Sequence, residues 1–363
     1  MSRSAKDTNA VVGALLRDLA AAQPSKRAGF GYKRAANAVL NLDRPIESLV
    51  ESDGTLQKIP NVGPKSERVV LEVLRTGGSP IVERAVESSE RAAELEKRRT
   101  LRSQFMSRAR VLAALTKSAP GAPALTDYHG DLQVHSTWSD GSQTLEEIVE
   151  ASLDRGYDFS GVTDHSYGLR IARGVSMADL AKQHRAIDRL NRHYRGRFRV
   201  IKGIEANIRP DGSIDMTPSE LERLELVVAA PHSSLRSSAD QTGRMIAAVR
   251  TRGVHVLGHP RGRLYGTRPG VQAHWPDVFE VAALSDVAVE IDGDPWRQDV
   301  DYRLARQALN AGCLFALDSD AHASRELQNA ETALAHARLA GIPRDRVINC
   351  WETERLLAWL RER

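Results

Sequence analysis

The sequence predicts a mixed α/β protein in which a small all-α domain precedes a barrel of parallel strands and helices. The first 80 residues show helical patterns and no convincing strand. After residue 126, seven short β-branched runs alternate with amphipathic segments, which is the pattern of repeated βα units. The length of 363 residues accommodates a barrel of about 250 residues and a small appended domain.

The front of the chain contains three predicted helices, at 10–22, 32–42 and 66–75. The second follows Gly29-Phe30-Gly31, and the third follows the stretch IPNVGPK. Because no strand interrupts them, we expect an all-α domain over residues 1–80.

A different composition follows this domain. The stretch ERAVESSERAAELEKRRTLRSQF has helical composition with only a thin apolar stripe, and SAPGAPALT is typical of a linker. We therefore expect a charged helical segment and linker over 81–126, followed by the barrel over 127–363.

The strands of the barrel are predicted from β-branched runs separated by helical patterns. The runs are DLQVH, FSGVTDH, FRVIKGIEA, LELVVAAPH, VHVLGH, VAVEID and LFALDSDAH, and helices are predicted at 144–155, 176–194, 241–252 and 300–311.

Composition and charge exclude several classes of protein. No apolar run approaches the roughly 18 residues of a membrane span, and the first ten residues lack the apolar middle of a secretory signal. We expect a cytoplasmic protein without membrane association. The two cysteines, Cys313 and Cys350, are too few for a disulfide framework and are expected to be reduced.

The positive charge is concentrated at the front of the chain. Residues 1–110 carry 20 Lys/Arg and 13 Asp/Glu, a net charge of +7, although the whole chain carries only +4. This asymmetry suits a module that binds a polyanion joined to one that carries carboxylates, but a solvated helical surface would look similar.

Metal-capable side chains stand at the ends of nearly all the predicted strands. The carboxyl ends of parallel barrel strands meet on one face, where the active sites of such barrels lie. A single histidine at a strand end is more often structural than a ligand, but five of the eleven histidines share this register. The set is His135, Asp164, His165, Glu205, His232, His259, Asp320 and His322.

Imidazole and carboxylate together are suitable ligands for Zn²⁺, Mn²⁺ or Fe²⁺. Residues i and i+2 of a strand point the same way, so Gln133 can join His135, and Asp320 can join His322, around one ion. We expect Asp131 to secure its strand. The other histidines are predicted to be structural or exposed: His129, His184, His193, His255, His274 and His336.

The ordered motifs DLQVHS, SDG, TDHS, GIEANI, PHSS, GHPRGR, EIDGDP and DSDAH resemble the polymerase and histidinol phosphatase (PHP) superfamily over residues 129–345. The closest resemblance is to the version at the C-terminus of bacterial family X DNA polymerases. It implies a distorted seven-stranded barrel with two or three divalent ions. By motif, the first ion falls on Gln133, His135, Glu205 and Asp320; the second on Glu205, His232 and His259; and the third on Asp140, His165 and His322.

One position departs from the family pattern. The family commonly has His-x-His in its first motif, whereas this chain has Gln133 before His135. A carboxamide oxygen is a weaker ligand than imidazole for these metals. The first ion is therefore expected to bind loosely, to prefer Mn²⁺ or to be lost, and an inactive variant stays an alternative.

The chemistry that such an ion cluster supports is phosphoester hydrolysis, with Glu205 as the bridge between ions. Asp164 is expected either to orient the metal ligand beside it or to cap its strand. Arg261 and Arg263 are candidates to hold phosphate oxygens by forked hydrogen bonds, with Arg297 as a second candidate. The alternative is that each of these arginines is an ordinary surface residue without a role in phosphate binding.

Residues 56–77 resemble the helix-hairpin-helix motif that grips a DNA backbone phosphate at a helix N-terminus. Asn61 replaces the usual first glycine but also tolerates the left-handed conformation. The alternative is an ordinary helical turn. The predicted DNA-binding residues are Lys58, Asn61, Gly63, Lys65 and Arg68.

The wider front resembles the small N-terminal domain of family X polymerases, yet the polymerase palm is missing. The interval between Glu83 and Thr126 is too short for a palm and contains no Asp-x-Asp pair, so polymerisation is not expected. The favoured hypothesis is a DNA-directed phosphoesterase, a 3′-5′ exonuclease or 3′-end processing enzyme of DNA repair. The alternatives are a small-molecule phosphatase, such as a histidinol-phosphate phosphatase, and a non-catalytic DNA-binding accessory. Protein partners stay open.

Overall fold

The computed structural model describes residues 6–102 and 104–362. The chain divides into two compact units. The helical unit comprises Met1–Lys117 with Tyr265–Thr267, and the barrel unit comprises Ser118–Leu264 with Arg268–Arg363.

The helical unit is built from helices around a small apolar core. Val12, Leu16, Val39, Val70 and Leu95 are among the residues buried in this core. The helices are α1 (Thr8–Ala21), α2 (Lys26–Leu40), α3 (Pro64–Thr76), α4 (Pro80–Glu87), α5 (Ala92–Arg102) and α6 (Arg108–Thr116).

Helix α2 begins six residues before the sequence prediction placed it. Ser25 caps the helix by accepting a hydrogen bond from the Ala28 backbone N–H. Gly29 lies inside α2, where an added Cβ would stand only 2.3 Å from the Ala20 carbonyl oxygen. The glycine therefore permits close approach of α1 and α2 and does not break the helix.

The helices after residue 80 belong to the same core. Val82 of α4 and Leu95 of α5 are fully buried among the apolar residues of the helical unit. Asp18 of α1 is almost fully buried and pairs with Arg99 at 2.6 Å and with Arg102, both on α5. The compact helical unit therefore continues past the predicted boundary at residue 80 to Lys117.

The barrel unit contains one sheet of seven parallel strands in sequential order, as predicted. A parallel bridge between Val134 and Ala321 joins the first strand to the segment after the last. The sheet thus comes close to a closed barrel. The strands are β1 (Gly130–Val134), β2 (Phe159–Val162), β3 (Arg199–Asn207), β4 (Leu226–Ala230), β5 (Val256–Leu257), β6 (Ala288–Asp292) and β7 (Phe315–Asp318).

Helices alternate with these strands. Apolar residues of the strands, including Leu132 and Phe159, pack against the C-terminal segment at Trp351 and Leu356. The helices are α7 (Leu145–Asp154), α8 (Met177–His193), α9 (Pro218–Leu221), α10 (Thr242–Arg250), α11 (Trp275–Leu284), α12 (Tyr302–Asn310), α13 (Ala330–Ala340) and α14 (Thr353–Glu362). Among the helices that the structure describes, none is long and apolar enough to cross a membrane.

Candidate metal centre

Glu205 of β3 is the centre of a dense cluster of imidazoles. Its carboxylate is fully buried. Oε1 lies 3.1 Å from Nε2 of both His232 and His259, and Oε2 lies 3.0 Å from His165 Nδ1 and 3.4 Å from His135 Nε2. Four strand ends therefore deliver imidazoles to a single carboxylate, as the register of the sequence predicted.

Asp140 and His322 form the outer part of the cluster. Asp140 Oδ1 lies 3.4 Å from His322 Nε2 and 3.5 Å from His165 Nε2. The His135 ring stacks between the rings of His165 and His322, at centroid distances of 4.5 and 4.2 Å. Because the side chains of Asp140 and His322 are about one-third exposed, this part of the cluster is open to solvent.

Asp320 occupies the inner part of the cluster. Its Oδ1 lies 3.1 Å from His135 Nε2, and its backbone adopts a left-handed conformation with φ 52°. Asp is one of the residue types that tolerate this conformation. Arg297 Nε lies 3.2 Å from the other oxygen, Asp320 Oδ2.

The donor atoms cluster closely enough to hold metal ions. Within each of four groups, one ligand atom per residue lies within 4.8 Å of all the others. The groups are His135, Asp140, His165 and His322; His165, Glu205 and His232; His135, Glu205 and Asp320; and His259, Asp292 and Asp320.

Several buried polar atoms of the cluster have no hydrogen-bond partner among the described residues and are suited to bind an ion. Neither side-chain atom of the fully buried Gln133 has a hydrogen-bond partner within residues 6–102 and 104–362. Both oxygens of Glu205 and the Nε2 atom of His232 also form no hydrogen bond of good geometry with any residue that the structure describes. Buried polar groups are normally satisfied, so this donor set fits bound cations.

The imidazoles are oriented by further hydrogen bonds. His232 Nδ1 donates to Asn207 Oδ1 at 2.7 Å, and His322 Nδ1 donates to the Asp320 carbonyl oxygen at 2.8 Å. His259 Nδ1 lies 3.3 Å from Glu290 Oε2. Because Nδ1 of His232 and of His322 donates a hydrogen bond, the Nε2 lone pair of each is available to a metal.

Sequence analysis missed three residues of the centre, namely Asn207, Glu290 and Asp292. Asn207 follows Glu205 by two residues, and Asp292 follows Glu290 by two residues. The two members of each pair therefore face the same side of their strand. Strand periodicity could therefore have found them. Burial and the nearby Asp320 raise the pKa of Asp292 well above its ordinary value, although Arg297 acts in the opposite direction.

The charge state of the cluster depends on pH. Burial alone would raise the pKa of the Glu205 carboxyl, but the surrounding imidazoles, above all His165, lower it well below its ordinary value. Burial would lower the pKa of His322, but its hydrogen bond to Asp140 and the nearby negative charges raise that pKa to about 10. A metal ion must displace protons from these imidazoles, so metal affinity should fall as the pH falls.

Comparison with known proteins gives two kinds of relative. The chain is 32% identical over 233 residues to the DNA polymerase/3′-5′ exonuclease PolX of Bacillus subtilis strain 168, covering 64% of this chain and 41% of PolX. It is 27% identical over 248 residues to the Probable phosphatase YcdX of Escherichia coli K12, covering 65% of this chain and 95% of YcdX. No protein-family model matches the chain.

The chain is thus similar in sequence to phosphoesterases of the PHP type. It spans about two-fifths of the length of the Bacillus relative. Among solved structures, it is similar to the histidinol phosphate phosphatase of Lactococcus lactis subsp. lactis Il1403, at 15% identity and a TM-score of 0.43, covering 58% of this chain and 94% of that one.

Asp164 organises the loop that follows His135. Its carboxylate accepts hydrogen bonds from the Ser136 N–H at 2.8 Å and from the hydroxyl of Ser139, in the loop that leads to Asp140. It also accepts from Gln183 of α8. Asp164 thus positions this loop, and its expected role in orienting a neighbouring metal ligand stays a prediction.

Arg261 and Arg263 have partners inside the protein, and their predicted phosphate-holding role stays a prediction. Arg261 pairs with Asp299 at 2.9 Å and with Asp301 at 2.7 Å, and it is largely buried. Arg263 is almost fully buried and donates to the carbonyl oxygens of Arg297 and Gln298. Both guanidinium groups are engaged inside the protein, which leaves Arg297, with its side chain 21% exposed, as the arginine at the cluster.

Asp131 has the structural role expected for it. It accepts hydrogen bonds from the backbone N–H groups of Gln133 and Ser319, which ties β1 to the end of β7. Two of the remaining histidines are likewise structural. His255 Nδ1 accepts from the Val227 N–H, and the fully buried His336 accepts from the Tyr302 N–H.

The predicted DNA-binding residues share the exposed surface around the start of α3. All five are exposed: Lys58, Asn61, Gly63, Lys65 and Arg68. Asn61 adopts the left-handed conformation that the sequence required of it, with φ 68°, and accepts a hydrogen bond from Arg34. A short 3₁₀ helix, Ile46–Leu49, precedes the hairpin where the motif would have a longer helix.

Proposed function

We propose that this chain hydrolyses phosphoesters with divalent metal ions held by the cluster around Glu205. The observation that carries the proposal is the placement of four imidazoles within 3.4 Å of one buried carboxylate. Divalent ions at such a cluster lower the pKa of water and neutralise phosphoryl oxygens. The holding residues are Gln133, His135, Asp140, His165, Glu205, His232, His259, Asp320 and His322.

The side chains of the chain have separate tasks in this proposal. Glu205 would hold the inner ions together with the imidazoles, because each of its two oxygens faces two of them. Asp140 and His322 lie at the exposed part of the cluster, where a substrate phosphate would enter. Arg297 stands beside Asp320 with its side chain partly exposed, so it is the candidate to steady a phosphate oxygen.

We further propose that the substrate is DNA, cut from its 3′ end. The name of the Bacillus relative includes a 3′-5′ exonuclease, and residues 1–110 carry a net charge of +7. The exposed residues at the start of α3 present backbone N–H groups beside Lys65 and Arg68, which suits a backbone phosphate. In this proposal the helical unit binds the DNA backbone and the barrel unit hydrolyses it.

A small-molecule phosphatase is the second candidate. It is favoured by the similarity to the Probable phosphatase YcdX, which extends over 95% of that protein. The non-catalytic DNA-binding accessory is the third, and the carboxamide of Gln133 in place of an imidazole is the feature that favours it.

One experiment separates the three candidates. The purified chain is incubated with Mn²⁺ and 5′-labelled single-stranded DNA, and in parallel with a small phosphomonoester. Metal-dependent shortening of the labelled strand from its 3′ end is expected. Cleavage of the monoester alone would replace the DNA proposal with the second candidate, and salt-sensitive DNA binding without either cleavage would replace it with the third.

A further inference from the structure

One residue of the metal centre has no place in the ligand set implied by the family. Asp292 is the last residue of β6, and it forms a group with His259, which follows β5, and Asp320, which follows β7. One ligand atom of each lies within 4.8 Å of the other two, and all three residues are buried. The ends of three consecutive strands thus meet at Asp292.

One oxygen of the Asp292 carboxylate accepts a hydrogen bond, and the other accepts none from any residue that the structure describes. Oδ1 accepts a hydrogen bond from the Asp294 N–H at 2.7 Å, which holds the side chain in place. Oδ2 is buried and accepts no hydrogen bond from any residue that the structure describes. The Nε atom of Arg297 stands 3.6 Å from Oδ2, farther than its 3.2 Å distance from Asp320.

The charges around Asp292 also call for a further cation. Asp292 and Asp320 are both fully or almost fully buried carboxylates, and they face a single guanidinium, that of Arg297. A divalent ion bound between the two carboxylates would offset their mutual repulsion and their burial. One imidazole and two carboxylates form a suitable donor set for Mn²⁺, Zn²⁺ or Fe²⁺.

We propose that Asp292 is a metal ligand and that His259, Asp292 and Asp320 together hold a divalent cation. This inference rests on the proposed function and deepens it by adding an anionic ligand. Gln133, on the strand next to β7 around the barrel, contributes only a neutral carboxamide. Asp292 supplies the negative charge that strengthens metal binding in this part of the centre.

The rival explanation is that Asp292 serves only as a counter-charge for Arg297. The two explanations differ in their predictions for metal binding. A ligand that is lost lowers metal affinity at its own ion by at least the 10-fold to 100-fold seen for residues that merely orient ligands. If Asp292 is only a counter-charge, its carboxylate touches no ion, and its loss weakens all the ions of the centre modestly through space instead of weakening one ion strongly.

The test uses Asp292→Asn in the full chain, with Asp318→Asn as the matched control. Asp318 is a fully buried carboxylate of the same barrel and belongs to none of the four groups. Mn²⁺ is titrated into metal-free protein, and free Mn²⁺ is measured by electron paramagnetic resonance. Asp292→Asn should bind one ion at least tenfold more weakly than the wild type, whereas Asp318→Asn should match the wild type.

Equal Mn²⁺ binding by Asp292→Asn and the wild type would overturn the inference while leaving the proposed function intact. Absence of Mn²⁺ binding by the wild type would remove both. A second measurement does not depend on the folding of a variant. Crystals of the wild type loaded with Mn²⁺ should show an anomalous peak in contact with Asp292 Oδ2, and peaks confined to the other groups would contradict the inference.

Discussion

At the scale of single residues, the metal centre was the most predictable part of the chain. The types and spacing of His135, Glu205, His232 and His259 sufficed, because parallel strands of a barrel bring their carboxyl ends together. The arginines were not predictable in the same way. The partners of Arg261 are Asp299 and Asp301, which lie about 40 residues farther along the chain and have no local signature.

Gln133 offers a direct test of the departure from the family pattern. Changing Gln133 to His should raise the affinity for Mn²⁺ or Zn²⁺ about tenfold or more, because imidazole is the stronger ligand for these ions. Gln133→Ala, which removes the donor atoms, should lower the affinity. Isothermal titration of the metal-free protein measures both, and equal affinities in the three proteins would mean that position 133 does not bind the ion.

A buried histidine in the barrel unit should make stability depend on pH. Burial and the nearby arginine charges lower the pKa of His336 to about 3, although the Asp301 charge acts in the opposite direction. In the unfolded chain the group has a pKa near 6.5. Below about pH 6.5, His336 therefore binds a proton in the unfolded state but not in the folded state. The free energy of unfolding falls as the pH falls towards 3.

The expected slope from this single group is up to about 1.4 kcal/mol per pH unit. His336→Asn should show a shallower fall in the free energy of unfolding between pH 6.5 and 4. His193→Gln, which changes an exposed histidine at the end of α8, is the control and should keep the slope of the wild type. Urea denaturation at a series of pH values measures the slopes, and identical slopes for all three proteins would rule out this contribution.

At the scale of elements, periodicity predicted the seven strands and most of the helices, but not where α2 begins or where the helical unit ends. The predicted helix began after the GFG stretch, whereas Gly29 lies inside α2, where α1 and α2 come into close contact. The apolar stripe of residues 81–102 is thin because only a few side chains, such as Val82 and Leu95, reach the core. Packing partners distant in sequence decided both cases.

Two glycines of α2 should respond oppositely to alanine. Gly29→Ala should destabilise the chain by about 1–3 kcal/mol, because its Cβ would stand 2.3 Å from the Ala20 carbonyl oxygen. Gly31→Ala meets nothing within 4 Å and should stabilise α2 by about 0.5–1 kcal/mol. Chemical denaturation measures both, and equal effects would mean that α1 and α2 do not approach so closely.

The N-terminal turn of α3 should contribute to DNA binding. Changing Lys65 to Ala should weaken binding to single-stranded DNA several-fold and reduce the salt dependence of binding by about one phosphate contact. Arg75→Ala, at the other end of the same helix and also exposed, is the matched control. Monoester cleavage should be unchanged in both variants.

Fluorescence anisotropy at several salt concentrations measures the DNA affinities. Equal losses for Lys65→Ala and Arg75→Ala would indicate a diffuse charge effect. No loss for either variant would remove α3 from the DNA-binding surface.

At the scale of the whole molecule, the chain joins a basic helical unit to a PHP-type barrel unit. Each unit has its own core, so the proposed metal chemistry and the proposed binding of a polyanion can be tested separately. The sequence indicated this division through charge and periodicity. It could not indicate which substrate is hydrolysed, because substrate choice depends on surfaces around the cluster that have no simple periodic pattern.

The Glu205 cluster is proposed to hold the metal ions with which the chain hydrolyses a phosphoester. The most direct test compares metal content and phosphoester turnover in the wild type and in Glu205→Gln, which keeps the shape of the side chain but removes the bridging charge. We expect at least two divalent ions per wild-type chain, fewer in the variant, and turnover at least a thousandfold lower, on the scale of a lost catalytic metal. Equal metal content and turnover in the two proteins would contradict the account.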